Sequence, residues 1–209
     1  MMDKVISRLW LIKSDGTGHQ KLSNFDRNES NPVWSPDGTR IAFTASTDQG
    51  TELFVYWTNT GKTARLSQLE FSPSNLSWSP DGKRIASASW DGSVKVFDAQ
   101  EGQEVLTFKG HDDSVSRVAY SPDGARLATA KKDGTVTVCA AASGQELLTL
   151  SGHTSRLTEL VFSPYGEYLA SASTDDTVRV TVHELTYVPR SADGLYEWTL
   201  RWPGAQPGA

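Results

Sequence analysis

Four histidines are the side chains in this 209-residue sequence that are best suited to acid–base or metal chemistry. They are His19, His111, His153 and His183. His111 precedes Asp112 and Asp113, but adjacent residues rarely converge on one ion, and no His or Cys pair has the spacing of a zinc site. Serine and aspartate are plentiful, yet the sequence contains no G-x-S-x-G nucleophile elbow. We therefore expect no catalytic residue and no bound metal.

Phosphate and calcium motifs are also missing. Gly16 and Gly18 lie in SDGTGHQ, which lacks the G-x-G-x-x-G pattern and precedes no helical segment. The aspartates of the short acidic turns lack the alternating oxygen ligands of a calcium loop, so we interpret them as turn formers. Cys139, the only cysteine, lies inside an apolar stretch and is predicted to be a buried, inert thiol. We expect no cofactor.

One phrase recurs along the chain and indicates how the fold is built. NPVWSPDGTRIAF returns in altered form as NLSWSPDGKRIAS, RVAYSPDGARLAT and ELVFSPYGEYLAS. The prolines of the four copies are Pro36, Pro80, Pro122 and Pro164, so the intervals are 44, 42 and 42 residues. A period near forty indicates stacked supersecondary units. His111 and His153 share this period, which favours a structural role for both.

Each unit has the pattern of four short antiparallel strands. Apolar and polar residues alternate with period two, and Gly, Asp, Asn or Pro interrupts the pattern every six to ten residues. In SPDG, proline and aspartate suit the middle of a type I turn and glycine suits its exit. Small residues recur in the second strands, which suits sheets that converge near an axis and are covered on both faces. They are Ala42, Ala86, Ala88, Ala128, Ala130, Ala170 and Ala172. This pattern predicts an all-β fold, a β-propeller of four-stranded blades.

Charge and composition narrow the classes of partner. The net charge is −5, without basic blocks, so binding to nucleic acid is not expected. Charged residues interrupt the first apolar stretch, which predicts neither a signal peptide nor a membrane span. One cysteine cannot form an internal disulfide, so nothing ties the chain to an oxidising compartment. A cytoplasmic location is the expectation.

The repeated motifs resemble two related families. From Ser77 to Glu184 the chain resembles WD-repeat proteins, through the GH pairs at 110–111 and 152–153, the segments SASWDGSVKVFD and SASTDDTVRV, and Phe97-Asp98 in place of Trp-Asp. From Leu9 to Leu66 it is more similar to TolB-like (PD40) repeats, through LWLIKSDGTGHQKLS and TELFVYWTNTGKTARLS. Both resemblances imply a β-propeller.

The WD-repeat resemblance also implies a hydrogen-bonded network of His, Ser or Thr, Asp and Trp that locks a blade. Neither copy here is complete. One copy has His111, Thr129 and Asp133, with Cys139 at the tryptophan place. The other copy has His153, Ser171 and Asp175, with Thr181 at that place. We therefore expect partial networks.

Blade counting predicts four whole blades and a split fifth in one domain, 1–209. We assign 1–29 to a partial blade, 30–69 to a TolB-like blade, 70–109, 110–150 and 151–190 to WD-like blades, and 191–209 to a closing strand and tail. TLRWPGA weakly echoes NLSWSPDG, which favours closure of the ring by the two ends of the chain. The alternative is an open arc whose edges pair with another chain.

The remaining candidate surface is one rim of the propeller. Trp90 is the one aromatic residue in a turn between second and third strands, a place where Lys132 stands in a later unit. Arg117 and Arg156 follow the GH loops. Trp90 is predicted either to anchor a partner or to pack across the neighbouring blade, and the arginines either face the rim or are solvated strand ends.

These observations favour a non-enzymatic protein–protein interaction scaffold. The alternative is a sensor or regulatory propeller in a multi-part enzyme, such as a peptidase or nucleotide-switch assembly, whose catalytic chain is separate. We expect protein partners, no nucleic acid and no membrane, with self-association through terminal blade edges as a further possibility. Fold alone does not establish either function.

Overall fold

A computed structural model describes residues 6–48, 50–69, 73–108 and 113–182 of the chain. Seventeen strands occupy this part, and none of its residues lies in a helix. The strands form five antiparallel sheets, which we number in chain order. The prediction of an all-β propeller of four-stranded units is confirmed, with about five blades.

The bounds of the strands follow the repeat. Sheet 1 contains β1 (Trp10–Leu11) and β2 (Gln20–Lys21). Sheet 2 contains β3 (Glu29–Trp34), β4 (Arg40–Thr47), β5 (Gly50–Trp57) and β6 (Lys62–Leu69). Sheet 3 contains β7 (Pro73–Trp78), β8 (Arg84–Ser89), β9 (Val94–Asp98) and β10 (Glu104–Phe108). Sheet 4 contains β11 (Val115–Tyr120), β12 (Arg126–Lys131), β13 (Val136–Ala140) and β14 (Glu146–Leu150). Sheet 5 contains β15 (Leu157–Phe162), β16 (Tyr168–Ser173) and β17 (Val178–Val182).

Sheets 1 and 5 contain fewer strands than the others within the described residues. Sheet 1 has two strands within the described residues. Sheet 5 has three, because any fourth strand falls after Val182, where the described residues end. The predicted closing strand at 191–209 also lies outside the described residues. Closure of the ring and the domain boundaries therefore stay predictions.

The repeated SPDG phrase closes each first hairpin. The amide of Gly38 donates to the carbonyl of Ser35 at 2.9 Å, as in a β-turn, and the same bond recurs at the same length in the next three units. In the first three turns the serine hydroxyl also donates to the aspartate of the same turn, as Ser35 does to Asp37. Gly38 has φ +68°, a conformation that favours glycine. The predicted turn chemistry is confirmed.

Four apolar clusters lie between consecutive sheets and form the core. Between sheets 3 and 4, Ala86 and Ala88 pack with Val118 and Tyr120 in one buried group. Equivalent groups join sheets 1 and 2, 2 and 3, and 4 and 5. Ala86, Ala88 and their counterparts Ala42, Ala128 and Ala130 have no exposed surface. The small side chains allow the sheets to approach closely.

Hydrogen bonds between first strands hold neighbouring sheets in register. The side-chain amide of Asn31 donates to the carbonyl of Pro73 at 2.9 Å. One unit later the Ser74 hydroxyl donates to Val115 at 2.8 Å, and one unit further the Ser116 hydroxyl donates to Leu157 at 2.9 Å. The first strands of sheets 2 to 5 therefore lie side by side, as the inner strands of a propeller do.

At the other end of the first strands, beside the SPDG-type turns, two arginines bridge consecutive sheets. Arg40 donates to the carbonyl of Gly82 at 2.9 Å, and its guanidinium carbon lies 4.8 Å from the ring centroid of Trp78. Arg126 repeats this arrangement with Gly166 at 3.2 Å and Phe162 at 5.5 Å. Each arginine extends from a second strand to the SPDG-type turn of the next sheet. We call this pair the arginine clamps.

Candidate functional site

Two of the four predicted rim residues are in direct contact. The guanidinium carbon of Arg156 lies 4.5 Å from the ring centroid of Trp90, within cation–π distance. Trp90 belongs to the turn between β8 and β9, and Arg156 immediately precedes β15, so all of sheet 4 separates them in sequence. The Trp90 side chain is still 53% exposed. The stacked pair therefore presents an aromatic surface and a positive charge to solvent.

The backbone on both sides of this contact is fixed by turn hydrogen bonds. The carbonyl of Arg156 accepts from the amide of Thr174 at 3.0 Å and from the hydroxyl of Ser173 at 3.1 Å. In the turn that carries Trp90, Asp91 accepts from the amide of Ser93 at 2.9 Å and from its hydroxyl at 2.7 Å. Partner binding would therefore order little backbone here, which reduces the entropic cost of association.

The other two predicted rim residues do not join this pair. Lys132 is exposed in the turn between β12 and β13, where its amide donates to the carbonyl of Ser114 at 3.0 Å. Arg117 lies on β11, with Nε 3.7 Å from the carboxylate of Glu159 on β15. Its side chain is 24% exposed. Arg117 thus extends from the first strand of sheet 4 toward Glu159 on the first strand of sheet 5. Glu159 was not among the residues singled out from the sequence.

The structure brings His153, Ser171 and Asp175 together in sheet 5. Nδ1 of His153 lies 3.0 Å from a carboxylate oxygen of Asp175, and Nε2 lies 2.9 Å from the hydroxyl of Ser171. A carboxylate only accepts, so Nδ1 donates to Asp175, and in the neutral imidazole Nε2 then accepts from the hydroxyl of Ser171. Thr177 joins the group by donating from its hydroxyl to Asp175 at 2.6 Å. Sequence reasoning missed Thr177, although it follows Asp175 at the spacing of an Asx turn.

The ionised form of Asp175 is strongly favoured. The hydroxyl of Thr177 lowers the pKa of this carboxyl most, and the amide of Thr154 and the ring of His153 lower it further, against the opposing effect of burial. His, Ser and Asp are also the members of a hydrolytic triad. Here, however, His153 and Ser171 are each only 8% exposed, so the serine hydroxyl is not presented to a substrate. The arrangement suits a structural network.

The corresponding group in sheet 4 is only partly described. Thr129 is buried and donates to the carbonyl of Thr137 at 3.2 Å, while Asp133 accepts from the hydroxyl of Thr135 at 2.7 Å. His111 lies outside the described residues, so its predicted part in this network stays a prediction. Cys139 is a free, buried thiol, and burial raises its pKa.

An open cleft of about 460 Å³ lies beside sheet 2 and was not anticipated from the sequence. Phe25 and Phe54 contribute to its lining, with ring centroids 4.7 Å apart. Arg65 and Glu52 also line the cleft, where Nη1 of Arg65 forms a salt bridge with Oε1 of Glu52 at 2.9 Å. Because these charges are paired, the cleft is less suited to a charged ligand than the exposed rim.

The described residues limit two other classes of site. No three His, Cys, Asp or Glu side chains among them come together in a way that would hold a metal ion. None of their segments forms a helix long and apolar enough to cross a bilayer.

Comparison with known proteins agrees with this architecture. The family model of the TolB β-propeller domain (PD40) matches residues 3–184, which extends the TolB-like similarity beyond the N-terminal third and across the WD-like units. A search of curated proteins finds no match.

A solved structure described as "Crystal Structure of Mitotic Checkpoint Complex" contains a similar chain, a WD40 propeller. The TM-score is 0.74 at 20% sequence identity, and the similarity covers 84% of the present chain and 56% of that chain. The chain therefore spans just over half the length of this structural relative. At this identity the likeness shows the β-propeller fold alone. The predicted TolB-like resemblance is confirmed by the family model. The chain belongs to the TolB-like β-propeller family.

Proposed function

We propose that this protein is a non-catalytic scaffold that binds a protein partner through the rim around Trp90 and Arg156. The observation that carries the proposal is the stacked pair itself. Tryptophan and arginine are enriched among residues that dominate interface energies, and they act best when neighbouring contacts hold them in place. Trp90 is half exposed with a guanidinium 4.5 Å from its ring, so the pair is both ordered and accessible.

Further observations support a protein partner. Propellers of the TolB-like and WD-repeat types generally act without catalysis, and the His153 network is buried. The similar solved propeller comes from a structure described as a complex, so that propeller works within an assembly. Arg156 places a positive charge beside the Trp90 ring, which favours a partner segment that carries carboxylates.

The experiment is site-specific photo-crosslinking followed by binding measurements. A photoreactive phenylalanine at position 90 should capture the partner in source cells, and the same residue at position 10 is the control, because Trp10 is 54% exposed on sheet 1. With the purified partner, Trp90→Ala should weaken binding about 30-fold, a loss of about 2 kcal/mol. Trp10→Ala should leave the affinity unchanged.

Equal affinities of the two variants would overturn the rim assignment. Failure of position 90 to capture any protein that also binds the purified chain would overturn the scaffold proposal. If the captured partner is a hydrolase or a nucleotide-switching subunit, the regulatory-propeller alternative replaces the simple scaffold.

A further inference from the structure

The cleft beside sheet 2 contains a carboxylate whose hydrogen bonding is incomplete. The side chain of Glu52 is only 10% exposed, and its Oε1 accepts from Nη1 of Arg65 at 2.9 Å. Within the described part of the chain, no other group pairs with this carboxylate. A carboxylate accepts through both of its oxygens, and a buried ion pair is favourable only when its remaining acceptor sites are also satisfied. Glu52 therefore retains an acceptor for a donor that enters the cleft.

Glu52 is also a departure from the repeat. Counted from the alanine–valine pairs that join second and third strands, the place of Glu52 belongs to a hydroxyl side chain in each later sheet. That hydroxyl donates to the aspartate of a tight turn, and the residues are Ser93, Thr135 and Thr177. In sheet 2 the two strands instead stay paired as far as Thr47 and Gly50. The longer hairpin forms one wall of the cleft, with Thr47 and Asp48 in its lining.

Aromatic rings supply the apolar part of the cleft. Phe25 and Phe54 both line it, with ring centroids 4.7 Å apart. Phe43, which has no exposed surface, stacks on the inner side of Phe54 with a centroid distance of 5.6 Å. The core therefore holds Phe54 in place, so little side-chain entropy is lost when a ligand packs on it.

A second pair of opposite charges lies in the lining. Nη2 of Arg27 is 3.7 Å from Oδ2 of Asp48, which is too long for a hydrogen bond, and the two side chains are 41% and 99% exposed. Ion pairs with this exposure contribute little to stability. A ligand carboxylate can therefore take the place of Asp48 at low cost, and Arg27 joins Arg65 as a donor to an anionic group.

These groups are complementary to a zwitterion. A ligand with a charge of one sign would match one member of the Glu52–Arg65 pair and place a like charge beside the other. In an α-amino acid, Cα holds the nitrogen and the carboxyl carbon about 2.5 Å apart. That separation is close to the 2.9 Å between Oε1 of Glu52 and Nη1 of Arg65, so both ligand charges can lie beside their opposite partners. The volume of about 460 Å³ falls in the range of roughly 300–1,000 Å³ that small-molecule sites have.

We propose that this cleft binds an α-amino acid with an apolar side chain. The ammonium group of the ligand donates to Glu52, its carboxylate accepts from Arg65 and Arg27, and its side chain packs on Phe25 and Phe54. The cleft shares no residue with the rim around Trp90, and the proposal does not depend on the partner-binding function.

Calorimetric titration of the full-length chain with L-phenylalanine and L-leucine tests the ligand class. We expect saturable binding with a Kd of about 0.1–1 mM, as suits a small ligand in an open cleft. Phenethylamine lacks the carboxylate and 3-phenylpropanoate lacks the ammonium group, so each should bind at least about 10-fold more weakly than L-phenylalanine. Glycine has the charges without the apolar side chain and should be weaker by a similar factor.

Two results of the titrations would overturn the proposal. The first is an absence of saturable binding by both amino acids at millimolar concentration. The second is equal affinity for L-phenylalanine and either of its singly charged analogues, because the cleft would then not recognise a zwitterion.

Substitutions assign the binding to the cleft. Arg65→Gln and Glu52→Gln should each weaken L-phenylalanine binding at least about 10-fold. Arg65 is 59% exposed, so its variant should fold normally even if the change at the buried Glu52 lowers stability. Glu104→Gln is the matched control, because it removes a carboxylate that pairs with Lys95 at the same 2.9 Å on sheet 3. Equal affinities of Arg65→Gln and Glu104→Gln would place the ligand elsewhere and overturn the assignment.

Discussion

The guanidinium of Arg156 lies over the indole of Trp90, with 4.5 Å between the guanidinium carbon and the ring centroid. The two residues belong to turns of different sheets, and a complete four-stranded sheet lies between them in the chain. This contact ties together sheets that are not consecutive. It also combines the two predicted roles of Trp90, since the ring packs against a distant blade and remains half exposed.

The contact should be measurable as a coupling energy in the free protein. Trp90→Ala and Arg156→Ala, alone and together, form a double-mutant cycle followed by urea unfolding. We expect coupling of about 0.5–1 kcal/mol, the range of an exposed cation–π pair. Arg156→Lys should retain part of it, because the ammonium keeps the charge without the planar stack. Strictly additive single effects would contradict the contact.

The network of sheet 5 should contribute to stability through its buried polar groups. Ser171→Ala removes the hydroxyl that lies 2.9 Å from Nε2 of His153 and leaves that buried nitrogen unpaired. We expect a loss of about 1–3 kcal/mol in the free energy of unfolding. Asp176→Asn is the control, because Asp176 is the exposed neighbour of Asp175 and asparagine tolerates its φ of +64°. Equal stability of the two variants would show that the network does not lock the blade.

Stability should fall in acid through the hydrogen-bonded aspartates. The Ser35 hydroxyl and then the Thr39 amide lower the pKa of Asp37 from 3.8 to about 2, and the pKa of Asp175 is also lowered. Because the folded-state pKa lies below the unfolded one, the stabilisation is fully present above about pH 4 and is lost as the pH falls toward about 2. The urea midpoint should therefore decrease across this window. Asp175→Asn should make the decrease shallower, and an unchanged slope would contradict the assignment.

The fourth SPDG-type turn offers a stabilising substitution. In the first three turns an aspartate accepts from the serine hydroxyl and from the amide two residues later, as Asp81 does from Ser79 and Lys83. Tyr165 occupies this place in the fourth turn and is 89% exposed. Tyr165→Asp should raise the free energy of unfolding by about 0.5–1.5 kcal/mol by restoring both bonds. Tyr165→Ala removes the ring without adding an acceptor, so it should not stabilise; equal effects would refute the explanation.

Alanine substitutions at two glycines distinguish the cost of backbone strain from the cost of a steric clash. Gly38 has φ +68°, and a Cβ atom added there would meet only open space, so Gly38→Ala should cost about 1 kcal/mol from conformation alone. Gly134 has φ +90°, and a Cβ there would lie 2.4 Å from the carbonyl oxygen of His153. Gly134→Ala should cost about 2–4 kcal/mol, because the turn must also move away from the His153 loop. Thermal unfolding of both variants checks the difference, and similar losses would show that this approach is not tight.

Most of the architecture could be predicted from local sequence patterns. The spacing of Pro36 and Pro80 predicted the repeat, and the turn chemistry of SPDG predicted hairpins that the Gly38 amide now closes. The alanines of the second strands predicted closely packed sheets, and Ala86 and Ala128 are fully buried. These features are legible because turn type and period-two alternation depend on residues that are near one another in sequence.

The contacts at the rim could be predicted only in part, because they join residues that are far apart in sequence. Sequence reasoning placed Trp90 and Arg156 on one rim but had no means to pair them, because a cation–π contact depends on how a whole sheet separates and orients two turns. It likewise left Arg117 undirected until β11 and β15 were seen side by side, with Glu159 at 3.7 Å. Sequence reasoning did not predict the contacts of Thr177 or the arginine clamps, because their partners lie in other turns or in the next sheet.

The sequence by itself determined the strand content, the tight turns and the forty-residue repeat of this protein, since each is an energetic preference of a short segment. The tertiary structure alone decided which side chains meet between blades, such as Trp90 and Arg156. The physical reason is that packing and charge contacts between blades depend on distances across the sheets, which no local preference specifies.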